Sequence, residues 1–227
     1  MNIMTFKGIT NRSLGVIVET MPALTTPMER GESVVIAGRD GTVWRSDDCF
    51  DMIDITPTLY VPQSKIADAR QWLTGSGDLS FGLNANWHYR ARVAQSIPWQ
   101  PLDFEDGYRA AIAFECQPFR YTNGSTKITV TRSGYAIRNE YGVPALPVLT
   151  VHGSGTGRIS IGDTTCELTA ITDGMVLDCE EYEAYYGNQA LNHVMVGPFP
   201  FIPPGETGLI FTGGITSIEL EPRWRML

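Results

Sequence analysis

The sequence lacks the features that mark membrane proteins and general nucleic-acid-binding proteins. No stretch approaches the roughly 20 apolar residues that span a bilayer, and no basic segment followed by an apolar one opens the chain. We therefore expect neither membrane insertion nor a signal peptide. Lysine and arginine total 17 against 25 aspartate and glutamate, for a net charge of −8. This balance argues against a broadly basic, DNA-binding surface, and we expect no sequence-specific nucleic-acid binding.

Histidine and cysteine are scarce as well, with three and four residues. The cysteines lie at positions 49, 116, 166 and 179, where they form no C-x-x-C pair and match no zinc spacing. We therefore predict no metal and no cofactor. The thiols are expected to be reduced and partly buried, although the sequence leaves a Cys166–Cys179 disulfide open.

What the sequence does contain favours a mainly β protein. Hydrophobic residues make up 43% of the chain, enough for a sizeable core, and the 23 glycines and 14 prolines favour short strands joined by tight turns. Strand patterns and one helix occupy the first part of the chain. From Ser133 onward short strands follow one another without a convincing helix. We therefore predict two domains, 1–132 and 133–227, the second a β-sandwich.

One helix is predicted, over about residues 64–74 and about three turns long. Ser64 is placed to cap its first turn, and Gly75 follows its end, where a left-handed residue is favoured. The apolar residues of one helical face are Ile66, Ala69, Trp72 and Leu73. This face should pack on a sheet.

Two segments imitate catalytic or binding motifs. "HGSGTG", residues 152–157, resembles a phosphate loop, but a strand pattern follows it where a helix is needed, so we predict a turn. "DCEEYEAYYGN", residues 178–188, gathers carboxylates and tyrosines. Glu180 or Glu183 could serve a glycoside hydrolase, but neighbouring residues rarely face each other across a cleft. We favour a solvated acidic loop and predict no catalytic residue.

Two further segments admit two interpretations each. In "GRDG", residues 38–41, the glycines permit a tight turn. Arg39 and Asp40 either decorate a local turn or contact another subunit. Near the other end, Arg223, Trp224 and Arg225 belong to an ordinary last strand or to a docked terminus that packs back on the first domain.

Four segments in order resemble one protein family. They are the "GRDG" turn after a proline-rich arm and an apolar strand, "FECQPFRY" at 114–121, "PALPVLTVHGSGTGRISIG" at 144–162, and the stretch from Asn192 to Leu227. Their succession is similar to the distal tail protein (Dit) of long-tailed siphophages and covers nearly the whole chain.

The resemblance implies a structural protein of the virion rather than an enzyme. It implies an N-terminal β-sandwich-like ring domain with one α-helix, followed by a galectin-like β-sandwich. Six copies would form a ring that joins the tail tube protein to the tail-associated tip or lysin protein and leaves a channel for DNA. Receptor-binding proteins are possible further partners in the baseplate. Such a part would be assembled in the bacterial host cytoplasm and reside at the phage tail tip.

In such a ring the arm 20–32 would contact a neighbouring subunit. The implied interface residues are Pro22, Pro27 and Arg30 of the arm, and Arg39 and Asp40 of the turn, with Arg39 paired to an acidic group. The galectin likeness does not carry sugar binding over, because the only tryptophan between Ser133 and Met226 is Trp224. The alternative functions are a carbohydrate-binding baseplate module and, behind it, a glycoside hydrolase. The glycan contacts of the first alternative would be Tyr182, Tyr185 and Tyr186.

Overall fold

The computed structural model describes residues 2–82, 86–103, 106–124 and 126–227. Its residues divide into two compact units, 1–123 with Leu227 and 124–226. Strands dominate both units, so the mainly β prediction is confirmed. In the described part of the chain no helix is long and apolar enough to cross a bilayer.

Among the described residues of the first unit there are twelve strands, one 3-10 turn and one α-helix. Strands β1 to β6 are Met4–Phe6, Ile9–Thr10, Ile17–Thr20, Glu29–Val35, Thr42–Phe50 and Ile53–Ile55. Strands β7 to β12 are Thr58–Pro62, Ser76–Phe81, Trp87–Val93, Gln100–Pro101, Gly107–Ala111 and Phe114–Thr122. The 3-10 turn is Gln63–Lys65 and the helix α1 is Ile66–Trp72.

Two antiparallel sheets and the helix share the core of this unit. One sheet has the order β2-β1-β8-β9-β12, with β6 also beside β12, and the other has the order β10-β11-β7-β3. Strands β4 and β5 form a separate two-stranded ribbon. Phe6 and Phe114 meet edge to face in the core, with ring centroids 5.1 Å apart. Leu59 of the second sheet and Trp72 of α1 belong to the same buried cluster.

The helix is shorter than the sequence predicts. Ser64 lies inside the 3-10 turn and makes no capping hydrogen bond, because the helix proper begins only at Ile66. The predicted buried face is present, since Ala69, Trp72 and Leu73 are buried. Trp72 donates its indole N–H to the Phe6 carbonyl at 2.9 Å. Gly75 adopts the expected left-handed conformation, with φ of +71°.

The second unit is built from strands, with one 3-10 turn at Asn192–Val194. Strands β13 to β17 are Ile128–Val130, Tyr135–Asn139, Val148–Ile161, Thr164–Ile171 and Met175–Asp178. Strands β18 to β22 are Glu183–Tyr186, Gln189–Ala190, Met195–Val196, Gly205–Glu221 and Arg225–Met226. No α-helix occurs among its described residues, 124 and 126–226, as the sequence predicts.

Two long strands, β15 and β21, organise this unit. Its strands pair antiparallel in the order β13-β21-β15-β17-β18-β19. In addition, β14 pairs with β21, and β16 pairs with both β15 and β20. The segment 152–157 is a bulged part of β15 rather than the predicted turn. Its glycines lie against those of β21, where a Cβ on Gly213 would approach the Gly157 Cα to 2.8 Å. Glycine is needed here because the two backbones come too close for a side chain.

Candidate assembly surface

The β4–β5 ribbon is a hairpin that extends with most of its residues exposed. Ser33 pairs with Trp44 and Val35 with Thr42, and in the described chain neither strand joins a sheet. Val35 is 75% exposed and Trp44 is 51% exposed. An isolated two-stranded hairpin is marginally stable in water, and exposed apolar patches mark interaction sites. The hairpin is therefore the strongest candidate for a contact with another molecule.

The "GRDG" segment forms the tip of this hairpin. The Arg39 amide donates to the Ile36 carbonyl at 3.1 Å, and Gly38 has φ of +78° at the third position of that turn. A type II turn requires this conformation. Gly41, with φ of +77°, leads into β5. Arg39 and Asp40 are exposed, and neither has a side-chain hydrogen bond or ion pair within the described chain.

The arm ahead of the hairpin is anchored at one end and exposed along its middle. Residues 21–28 have no regular structure. Pro22 is half-buried and Pro27 is buried, so Pro27 holds the arm against its own chain. Leu24 and Met28, in contrast, are 83% and 69% exposed. The apolar surface that the arm offers therefore comes from Leu24 and Met28, which are not among the residues predicted for the interface.

Two residues of the arm make close contacts within their own chain. Gly31 lies in strand β4, where a Cβ would meet the Arg45 carbonyl oxygen and the Trp44 ring. Arg30 donates to the Asp51 carboxylate at 2.9 Å, and this hydrogen bond raises the pKa of Arg30 above its ordinary value. Arg30 thus has a partner in its own chain at the base of the hairpin.

In the acidic segment of the second unit, Asp178 and Glu180 are held by an ion pair with Arg223, whereas Glu181 and Glu183 are exposed. Arg223 contacts both oxygens of Asp178, at 2.7 and 2.8 Å, and Glu180 at 3.3 Å. Burial alone would raise the pKa of Asp178, but the hydrogen bonds from Arg223 and from two backbone amides lower it. Glu180, one candidate of the glycosidase alternative, is thus engaged by Arg223, whereas Glu183, the other candidate, is exposed in β18.

The three tyrosines do not share one face. Tyr182 is 64% exposed and meets Phe199 edge to face at 5.9 Å. Tyr185 and Tyr186 are consecutive in β18, so their side chains point to opposite faces. Of the three, only Tyr185 lines a shallow cavity of about 330 Å³. This arrangement does not provide the common stacking platform that the glycan alternative needs.

Residues 223–225 are held by contacts within the second unit. Trp224 packs on the core of that unit and lies 6.0 Å from the Tyr141 ring. Arg225 donates to the Pro144 carbonyl at 2.7 Å. Arg223 has a left-handed backbone, with φ of +51°, which is uncommon for a residue with a side chain. Docking of the extreme terminus on the first unit remains a proposal.

The four cysteines are free thiols. Cys116, Cys166 and Cys179 are buried, whereas Cys49, in β5, is partly exposed. Burial raises the pKa of Cys116 to about 12 and that of Cys166 to about 11. The pKa of Cys179 is raised further, first by burial and then by the nearby Cys166. Inert, buried thiols of this kind fit a structural role.

Comparison with known proteins identifies the fold. No family model and no curated protein sequence matches the chain. Among solved structures, the chain is similar to the Dit (gp 19.1) protein of phage SPP1, with a TM-score of 0.76 and 13% identity over 100% of both chains. That protein is described as a paradigm of the hub adsorption apparatus in phages that infect Gram-positive bacteria. It also matches a chain of the activated phage p2 baseplate, at TM-score 0.50 and 10% identity over 97% of each.

The chain thus shares its fold with components of phage tails and baseplates. More specifically, the chain has the fold of a siphophage distal tail protein, as the order of its motifs predicts.

Proposed function

We propose that the chain is a structural protein of a phage tail whose copies assemble into a ring through the first unit. The observation that carries this proposal is the β4–β5 hairpin, which exposes Val35 and Trp44. The arm before the hairpin adds Leu24 and Met28 to the same kind of surface. The fold shared with the SPP1 hub protein supports a tail role.

A ring requires one surface of each copy to meet a different surface of the next. An extended hairpin suits such a contact, because the hairpin of each copy can contact the next copy, whose own hairpin contacts the copy after it. Arg39 and Asp40 at its tip have no partner in the described chain. They are therefore available for ion pairs between copies, in which Arg39 would meet an acidic group.

In this role the ring is a hexamer that connects the tail tube protein above to a tip or lysin protein below. It is assembled in the bacterial cytoplasm and is carried in the virion at the tail tip. Receptor-binding proteins are further candidate partners. Phage DNA leaves through the central channel, and a net charge of −8 keeps DNA from adhering to the wall. The proposed role involves no catalysis.

The experiment compares two valines that are exposed on strands. Val35, in the hairpin, is 75% exposed, and Val196, in the second unit, is 55% exposed. We expect the wild-type protein to form rings in electron micrographs, with a solution mass by light scattering of about six times the 25.1 kDa of one chain. Val35→Asp should lower the ring fraction at least about tenfold, because a charge would be buried in an apolar contact. Val196→Asp should leave it unchanged.

The same assay tests the turn. Arg39→Ala should weaken the ring by removing an ion pair between copies. A wild-type protein that stays monomeric at every concentration would contradict the assembly proposal. Rings of Arg39→Ala with normal stability would refute an intersubunit role for that residue alone.

A further inference from the structure

The first unit contains a groove of about 470 Å³ beside the end of helix α1. Its apolar residues belong to the unit's core or pack on it, and they come from the helix end, from β9 and from the loop after it. These residues are Leu73, Val93, Ile97 and Trp99. The groove therefore presents partly exposed apolar surface that a protruding segment could cover.

Arg70 is the one charged residue among the described residues that line the groove. It lies in the last turn of α1 and is exposed. Within the described chain its side chain makes no hydrogen bond and no ion pair. Arginine with its planar fork of donors is suited to bind a carboxylate. A matching ligand would thus combine apolar side chains with one acidic group.

The tip of the β4–β5 hairpin has this combination. Asp40 is exposed without a partner in the described chain, and Val35 and Ile36 beside it are 75% and 44% exposed. We propose that the hairpin tip of one copy docks in the groove of the neighbouring copy, with Asp40 paired to Arg70. This inference rests on the proposed ring, whose receiving surface it identifies.

A second copy of this chain is the occupant that the observations favour. Hairpin tip and groove are different surfaces of the same unit, so their union is a head-to-tail contact that repeats around a closed ring. The unpartnered charges of Asp40 and Arg70 are of opposite sign, and each of these two residues stands next to apolar surface. Covering both surfaces at once removes apolar area from water at each step around the ring.

Charge reversal at the two positions tests the pairing. Arg70→Glu and Asp40→Arg are each expected to raise the protein concentration at which rings dissociate by about tenfold or more, because like charges then face each other. The double variant Arg70→Glu with Asp40→Arg should restore ring stability to within about threefold of wild type, since the pair is re-formed in the opposite sense. Circular dichroism of each variant checks that the fold is retained.

Arg132 and Asp163 serve as matched controls. Both are exposed residues of the second unit without a partner in the described chain. Arg132→Glu and Asp163→Arg change the net charge as the test variants do, and they should leave ring dissociation unchanged.

The outcomes separate this inference from the proposed function. If the wild type forms rings and the double variant does not recover, or if the single reversals have no effect, the pairing is wrong and the ring proposal stands. If a second protein and not a second copy binds the groove, Arg70→Glu leaves ring dissociation unchanged, which also overturns the pairing. If the wild type forms no ring at all, both proposals fail together.

Discussion

Replacing Arg223 by alanine should destabilise the second unit by about 2–3 kcal/mol, because it removes the partner of a buried carboxylate. Arg223 contacts both oxygens of Asp178, which is 7% exposed, and also reaches Glu180 at 3.3 Å. The variant leaves both acids without a cation. The left-handed backbone at position 223 is retained, since alanine and arginine are strained there to a similar degree.

The magnitude follows from how much of the pair stays satisfied. Breaking a fully buried ion pair by removing one partner costs about 3–5 kcal/mol. Here Asp178 keeps hydrogen bonds from the backbone amides of Glu180 and Glu181, at 3.1 and 3.2 Å. The Arg223 side chain is also 24% exposed, so water screens part of the interaction. Both facts reduce the expected cost below that range, to about 2–3 kcal/mol.

The cost should depend on pH in a defined direction. The pKa of Asp178 is lowered in the folded protein, so its stabilising contribution is fully present above the unfolded pKa of about 4. The contribution is lost as the pH falls through the folded pKa. In the Arg223→Ala variant burial remains and the cation is gone, so the pKa of Asp178 rises. The difference between variant and wild type should therefore be largest near neutral pH and shrink in acid.

Native-state hydrogen exchange provides the assay, because amides of β15 and β17 report on the second unit separately from the first. Arg138→Ala is the matched control: Arg138 is 73% exposed and pairs with Glu140 at 3.2 Å in the same unit. Its loss should cost less than about 0.5 kcal/mol. The reasoning is refuted if Arg223→Ala costs no more than this control. A cost that is as large in acid as at neutral pH would refute it too.

Two further predictions concern the first unit and the thiols. Trp72→Phe removes the indole N–H that donates to the Phe6 carbonyl and leaves a small void. Chemical denaturation should therefore show a free energy of unfolding that is lower by about 1–2 kcal/mol. An unchanged unfolding midpoint would contradict the role of that hydrogen bond. In native protein at pH 8, a thiol reagent should react rapidly with Cys49 and with the three buried cysteines only after unfolding in urea. Burial raises the pKa of these three thiols and blocks access to them. Rapid reaction of more than one thiol would contradict this.

Local sequence signals predicted several elements. The apolar stretches on both sides of "GRDG" indicated a turn between strands, and the glycines there adopt positive φ. The helical face around Trp72 and the left-handed Gly75 were likewise readable, because both depend on residues close in sequence. The capping role of Ser64 was wrong because a 3-10 turn precedes the helix and shifts its start.

Contacts between distant residues could not be predicted. Asp178 and Arg223 are 45 positions apart, so no local sequence pattern indicates that the Arg223 guanidinium pairs with Asp178 of the acidic segment. The groove likewise joins Arg70 of the helix to Trp99, which follows β9. Gly31 lies in strand β4, where the Arg45 carbonyl and the Trp44 ring of the neighbouring strand take the space of a side chain. In each case tertiary packing decided what the local pattern left open.

The position of β21 in its sheet has a consequence for synthesis on the ribosome. Strands β13, β14 and β15 all take β21 as a partner, and β21 ends at Glu221. The second unit therefore cannot close until that segment has been translated. The last strand of the first unit ends at Thr122, roughly 100 residues earlier, which at about 5–20 residues per second corresponds to about 5–20 s. A nascent chain thus has a time window in which its hairpin-bearing unit is folded and the remainder is still being made.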